Sequence, residues 1–564
     1  WLEALRLKGK VCFCLMTSVL MGHMATTTQY VCTFPPSIRS MSWHRGGVAE
    51  VGSSISRSTP LCMRSHPDVL HSCCEARPCR ATLGFLTGAW LGSACFRERL
   101  RRGSKTRVAG LPPDGPSLGE FMQGSLSAQA QTDWADRYGP ICCTDAGQFG
   151  KLVFISDPQI QRNVAMHSGF GRNALKAECV AEAFGSGITG TVGEEWRWRR
   201  SSVMREFNNA RLMSPEMGLF EAILEDCEDM CLALGRAADS GELVDIEGMT
   251  MKFGTAVVLY LLFGRRIRCD ERAFMASEAN LWKVYGANLQ TKMKGAALEP
   301  EEARNIDEMK EAAHAVFDEV VGPELHALLE ELETGNQGRP GRKQCVMGSL
   351  LRSEPRYATL GFEGLLAETR VLIVAGFGTT STQLALTFGL LADPQNAAVA
   401  VRAGHEAAAA MSLGLERTTF RERTAYANGL FSEALRLLPI VGSSNGKAYA
   451  DISVEVGSTS YTLPKGSEIF FGNTPGQRCA RVWPEPERFD PDRWASPSLQ
   501  KELMAFGRGP HECAGRVLAF LEARLLLTVV LSRFRFELPL EEARFETRTD
   551  LVTRPRGRLR VFRR

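Results

Sequence analysis

Residues 364–392, GLLAETRVLIVAGFGTTSTQLALTFGLLA, are apolar nearly all round over a length that no ordinary strand reaches. A helix that is hydrophobic on every face has to be covered on every face. Glycine and threonine interrupt this one too often for a membrane span, so the pattern predicts a buried central helix. Helical periodicity also dominates the segments around it. Short strand-like pieces, KLVFIS (151–156) and SEIFFG (467–472), flank that helical majority. We find no internal repeat, no phosphate-binding Walker loop and no GxGxxG turn opening a helix. The expectation is one large domain, mainly α with small β-sheets (α+β).

Charge and cysteine content divide the chain. It holds 67 Lys and Arg against 64 Asp and Glu, but residues 1–107 hold 15 basic and 5 acidic groups, leaving 52 and 59 for the remainder. A basic front end therefore precedes a mildly acidic body, and the body gives no support to nucleic-acid binding. Eight of the 17 cysteines precede residue 108, and the other nine are irregularly spaced. Size and pattern exclude a small disulfide-stapled scaffold. Cys73, Cys74, Cys79 and His71 lack the paired spacing of a zinc module.

The front end reads as a leader over 1–107, followed by the main domain over 108–564. The uncharged run VCFCLMTSVLMGHM (11–24) follows Arg6, Lys8 and Lys10, as the core of a signal segment does. Residues 25–80 are acid-poor and without periodicity, like a transit segment, and a disordered leader fits them equally well. A second uncharged run, ATLGFLTGAWLGSACF (81–96), is stopped by RERLRRGSKTR, which suits a membrane anchor with its basic flank on the cytoplasmic side. Its length is short of the roughly 20 residues that a spanning helix needs. LPPDGP (111–116) is a stiff turn suited to a domain boundary.

The most unusual stretch is FGRGPHECAGRVLAFLEARLLL, from Phe506 to Leu527. Gly509 and Gly515 bracket Cys513, and glycine permits tight turns or close backbone approach. The apolar helix that follows points its partly positive N-terminus at the sulfur, which favours a thiolate. Such a thiolate suits a single axial bond to haem iron. A buried structural cysteine with glycines serving a turn satisfies the same local pattern.

Phe506, Gly509, Cys513 and Gly515 match the F-x-x-G-x-x-x-C-x-G signature, and by it the chain resembles the cytochrome P-450 superfamily. Four further motifs follow the family's order. GEEWRWRR resembles its W-x-x-x-R helix through Trp196 and Arg200. AGFGTT (375–380) resembles the oxygen-activating segment of its central helix, and SEALRLLP its E-x-x-R helix through Glu433 and Arg436. PERFDPDRW (486–494) is similar to its meander. The resemblance implies a P-450 fold with the buried central helix over a haem b, iron protoporphyrin IX. It makes Cys513 the iron ligand and places His511, Trp196 and Arg200 at the haem propionates. Lys447, in SSNGKAYAD, is the candidate to replace a propionate-binding arginine. Glu433, Arg436 and Arg488 are expected to form a buried charge triad.

One position departs from the family. Its central helix has an acid followed by an alcohol, which together relay protons to dioxygen. Here Thr379 and Thr380 supply the alcohols, but Gly378 stands where the carboxylate belongs. Glycine adds no side chain to a proton path; an ordered water could bridge the gap. Gly376 and Gly378 also suit a helix kink. The resemblance thus implies a monooxygenase that inserts one atom of dioxygen into an apolar small molecule such as a lipid, sterol or carotenoid. Gly378 keeps open a hydroperoxide-rearranging or dehydrating enzyme, and a non-catalytic haem-binding member is the third possibility. Substrate contacts are expected from residues 168–192, the central helix, the stretch after Pro439 and the region of Thr553. Electrons would come from a flavoprotein reductase if the protein sits at the endoplasmic reticulum, or from a ferredoxin if the leader directs it to a plastid or mitochondrion.

Overall fold

The computed structural model describes residues 110–564, apart from 126, 148–149, 295–296, 335–341 and 550–552. The expected signal segment (11–24), anchor (81–96) and leader boundary at 107 lie outside the described residues.

Eight helices place the site. In chain order they are α1 (Gly193–Glu206), α2 (Leu219–Ser240), α3 (Ile246–Phe263), α4 (Glu271–Lys294), α5 (Pro300–Thr334), α6 (Gly361–Ala392), α7 (Ala425–Leu437) and α8 (Arg516–Leu531). The expected central helix is α6, and α3, α5, α7 and α8 all pack against it. Between Leu365 and Ala392 every residue is buried or half-buried except Ala375 and Thr379, which are exposed. Four residues apart, they share one helical face. That face is left open while the rest of the helix is covered. By length and composition α3 and α6 could each cross a membrane, but both are mostly buried and serve as core helices.

Small residues set how closely these helices approach. A Cβ on Gly254 of α3 would fall 2.1 Å from Ser381 Oγ on α6, and one on Gly376 would fall 2.7 Å from Val258 Cγ2 on α3. Helix α6 runs unbroken through Gly376 and Gly378. At Gly376 the visible role of glycine is therefore close packing.

The strands form one mixed sheet and three pairs. β1 (Ile141–Asp145), β2 (Lys151–Ile155), β3 (Phe170–Gly171), β4 (Ser443–Ala448) and β7 (Glu468–Gly472) make a five-stranded sheet in the order β1-β2-β7-β4-β3. The two strand-like pieces legible in the sequence are β2 and β7, and they pair parallel to each other, Val153 opposite Ile469. β5 (Ile452–Val456) pairs with β6 (Thr459–Leu463). β8 (Phe534–Glu537) pairs with β11 (Arg560–Arg563), and β9 (Thr547–Thr549) with β10 (Thr553–Pro555), which lies against α6.

Candidate active site

The loop before α8 is built around its glycines. Gly507 and Gly509 adopt φ of +70° and +76°, a left-handed region that side chains resist. At Gly509 a second constraint acts, because a Cβ there would lie 2.4 Å from the carbonyl oxygen of Ala165. The turn is closed by Glu512 N–H donating to Gly509 O (3.0 Å) and Cys513 N–H donating to Phe506 O (2.8 Å). The Phe506 ring packs 5.5 Å from that of Phe520 on α8. Gly515 is different. Its φ is −79°, and a Cβ would make only ordinary contact with Cys513 Sγ at 3.9 Å.

Cys513 is an exposed cysteine, although its loop is held inside the fold. Burial pushes its thiol up, while the N–H groups of Gly515 and Arg516 and the charge of Arg200 pull it down. Those two N–H groups come from the uncapped start of α8, where backbone donors have no helical acceptor. The sulfur is thus supplied with hydrogen bonds that favour its anionic form.

Helix α1 brings two expected residues to the loop. The ring of Trp196 lies 4.1 Å from that of His511. Arg200 donates to the carbonyl oxygen of Glu512, next to the cysteine. Between them Arg199 is buried and pairs with Glu368 of the central helix and Glu195 of its own helix, which fixes α1 against α6.

A third cation, not foreseen from sequence, joins this group. Arg172 follows β3 and donates to the carbonyls of Ile188 (2.9 Å), Thr189 (2.8 Å) and Thr191 (3.3 Å). Burial and the neighbouring Arg200 lower its pKa to about 10. Burial, Arg172 and Arg200 together lower that of His511 to about 4, so its imidazole is neutral near pH 7. The sequence signal for Arg172 is weak, a lone arginine outside the family motifs. Lys447 is not placed equivalently. It stands in register with Gly171, on the neighbouring strand, and its side chain forms no hydrogen bond or ion pair among the described residues. The cations that act on His511 are Arg172 and Arg200.

The triad needs a correction. Glu433 and Arg436 are both fully buried and share a bidentate pair, Nε to Oε2 at 2.9 Å and Nη2 to Oε1 at 2.8 Å. The third member is Arg493, whose Nε is 3.1 Å from Glu433 Oε1. Arg488 instead points outward, 63% exposed, and pairs with Glu485. The reason is backbone direction: the Arg488 carbonyl turns inward to accept from Arg436 Nη2 at 3.1 Å, which sends its side chain to solvent. Trp494 Nε1 donates to the same glutamate at 3.0 Å.

On the central helix, Thr379 Oγ1 donates to Ala375 O at 3.1 Å and sits on the exposed face, whereas Thr380 is buried. Gly378 is also buried, and the carboxylate of Glu278 on α4 lies against it. On the other side of the cysteine loop an open cleft of about 680 Å³ is lined by Cys513, Arg200, Arg421, Arg516 and Arg524, with Glu512 the one acid. No residue of α6 lines it, so the cleft does not reach the exposed face of Thr379.

This arrangement defines a class of protein. A helical domain presents one cysteine sulfur at a helix start, hydrogen-bonded by backbone N–H groups, with a buried central helix that leaves an alcohol exposed. The cytochrome P450 family model matches residues 110–561, and the chain belongs to that family. It is an oxidoreductase of the P450 monooxygenase type. Among curated relatives it is 26% identical to a probable cytochrome P450 4s3 of Drosophila melanogaster, over 82% of this chain and 92% of that one. It is 24% identical to the mitochondrial 25-hydroxyvitamin D-1 alpha hydroxylase of Mus musculus, over 80% and 92%. It is 23% identical to the cyclooctat-9-en-7-ol 5-monooxygenase of Streptomyces melanosporofaciens, over 67% and 78%. A cytochrome P450 crystal structure superposes with a TM-score of 0.65 at 18% identity, covering 81% of this chain and all of that one. The expected fold is confirmed.

The family implies a haem-thiolate cofactor, and the residues present fit one. His511 Nδ1 is a buried polar atom with no partner. The charge that acts on Arg172 is another arginine, Arg200, with no carboxylate opposing it. Arg172 and Arg200 are both half-buried, and although Glu512 and Cys513 act on Arg200, nothing anionic acts on Arg172, which leaves positive charge for a ligand to neutralise. Carboxylates such as haem propionates would do so.

Proposed function

We propose that this chain binds haem b through Cys513 and inserts one oxygen atom into an apolar small molecule, using electrons from a protein partner. The observation that carries the reading is the thiol of Cys513 held by the N–H groups of Gly515 and Arg516, beside Arg200. When bound, the haem supplies dioxygen binding and oxygen-atom transfer. The protein's own residues do the rest. Arg172, Arg200, His511 and the Trp196 indole would hold the propionates, and the glycine turn keeps the sulfur in one position. The exposed Ala375–Thr379 face offers a hydrogen-bonding alcohol on a helix that is otherwise covered.

Apolar substrates are supported by the relatives, whose names include a vitamin D derivative and a terpenoid alcohol. The four arginines of the cleft beside Cys513 support an acidic electron donor docking there, by charge complementarity. The basic segment after residues 81–96 supports attachment of the full chain to a membrane. Fractionation of the full chain against one starting at residue 108 would test that attachment.

The decisive experiment is the absorption spectrum of the reduced, carbon-monoxide-bound protein. A strongly red-shifted Soret band is expected, and Cys513→Ser should abolish it. A band retained in that variant would remove Cys513 as the ligand. Product that forms only with reductant and dioxygen would separate oxygen insertion from hydroperoxide rearrangement.

A further inference from the structure

Position 378 lacks the carboxylate that the family resemblance leads one to expect, yet a carboxylate is there. A Cβ built on Gly378 would lie 3.1 Å from Oε2 and 3.3 Å from Oε1 of Glu278, with the carboxyl carbon at 3.5 Å. Glu278 belongs to α4, not to the central helix. The glycine therefore does two things at once. It removes one side chain and makes room for another that arrives from the neighbouring helix.

We propose that Glu278 supplies from α4 the proton-relay carboxylate that residue 378 lacks, serving the Thr379 hydroxyl on the next residue of α6.

The carboxylate is built for a defined position. Glu278 is buried, and its Oε1 accepts from Trp282 Nε1 (3.4 Å), one turn along the same helix. The Trp282 ring is in turn wedged against Phe184 and Tyr285, at centroid distances of 4.8 and 5.5 Å. Oε2, the oxygen nearer Gly378, accepts no hydrogen bond among the described residues. That oxygen is therefore free to take a further partner, while Oε1 stays anchored to Trp282. Burial raises the carboxyl above its usual range. Arg554 on β10, the charged group acting on it, and Trp282 oppose that rise. Arg554 also bonds Glu247 at 2.6 Å, so its charge is shared. A group poised in this way can hold and release a proton.

The inference rests on the monooxygenase reading. That reaction is RH + O₂ + 2 electrons + 2 H⁺ giving ROH + H₂O, and both protons must be delivered where dioxygen is held. In the proposed path Glu278 Oε2 gives up a proton toward Thr379 Oγ1 and is then reprotonated from solvent, so the carboxyl is unchanged over a cycle. With an organic hydroperoxide the balance is RH + R′OOH giving ROH + R′OH. Electrons and protons then come with the oxidant, and the relay is not needed.

The test compares these two routes in the haem-loaded full chain, with lauric acid as probe. One route uses reductant, a redox partner and dioxygen; the other uses cumene hydroperoxide. Glu278→Gln should lower product formed per reductant consumed by about tenfold or more. Its hydroperoxide-driven rate should stay near that of the wild type. Moving the carboxylate back to α6, in Glu278→Ala with Gly378→Asp, should restore the reductant-driven yield. A readout independent of turnover is the infrared difference spectrum, wild type minus Glu278→Gln, which should show a buried carboxyl band that titrates with pH. If Glu278→Gln folds poorly, Gly378→Ala reads the same contact, because its methyl presses on the carboxylate and should shift that band. Unchanged coupling in Glu278→Gln, equal losses by both routes, or no such band would overturn the proposal. Wild-type product with hydroperoxide but none with reductant and dioxygen would instead overturn the monooxygenase reading itself.

Discussion

Arg493 Nε lies 3.1 Å from Oε1 of Glu433, and this contact ties the meander to α7. The same carboxylate takes the Asp490 N–H at 3.0 Å and holds Arg436 on its own helix, so one buried glutamate joins the meander to α7 at two points. Arg436 then donates onward to the carbonyls of Gln477 (3.0 Å) and Pro486 (2.7 Å). Removing one member of such a network leaves its partners buried and unpaired. Glu433→Ala should therefore cost about 3 to 5 kcal/mol of stability. Arg493→Ala should be the milder of the two, yet clearly destabilising. Arg488→Ala should stay within about 0.5 kcal/mol, because its side chain is a surface group. Urea unfolding of the three variants checks this order, and an Arg488 effect as large as that of Arg493 would refute it.

The two glycines beside Cys513 should behave differently. Gly509→Ala meets both a positive φ and a backbone oxygen at 2.4 Å, so the loop has to move and haem retention should fall sharply. Gly515→Ala meets neither obstacle and should keep most of the thiolate Soret band. Carbon-monoxide spectra per mole of purified protein measure both. Equal losses would mean that the strain at Gly509 does not govern the loop.

Arg172→Ala should weaken haem binding although no recognised motif contains it. A charge-assisted hydrogen bond of this kind contributes roughly 1.5 to 3 kcal/mol, or about ten- to a hundredfold in affinity. The rate of haem transfer to excess apomyoglobin should rise accordingly. Lys447→Ala should change it far less. A larger effect from Lys447 would return it to the propionate role that its sequence position suggested.

Stability should respond to a buried acid pair far from the chemistry. Glu522 on α8 is buried with no hydrogen bond to either oxygen, and burial with Asp226 pushes its carboxyl well above the usual range. Asp226 on α2 is raised to about 6, chiefly by burial and against the pull of Arg266. Between about pH 4 and 6 the folded chain keeps protons that the unfolded chain has lost, so these groups lower stability as pH rises. Glu522→Gln removes one of them. Its stability relative to wild type should improve from pH 5 to pH 7 by on the order of 1 to 2 kcal/mol, given about 1.4 kcal/mol per proton per pH unit. A difference that is flat with pH would sink this assignment.

What the sequence alone determined was local. An apolar run without a polar face had to become the covered helix α6, because covering it is the only soluble solution. Cys513, its glycines and the following helix are contiguous, and so are Trp196 with Arg200 and Glu433 with Arg436. Their relations depend on helical spacing or a single turn, which a linear pattern records. Tertiary structure decided whatever depends on the direction of a side chain between distant segments. It chose Arg493 over Arg488 because a carbonyl, not a side chain, turned inward at 488. It brought Arg172 across from β3 to His511, 339 positions later in the numbering and with no shared motif. It also filled the gap at Gly378 with a carboxylate 100 residues earlier, from a helix whose packing the sequence does not specify. Burial and electrostatics act through space, and only the packed helices set those distances.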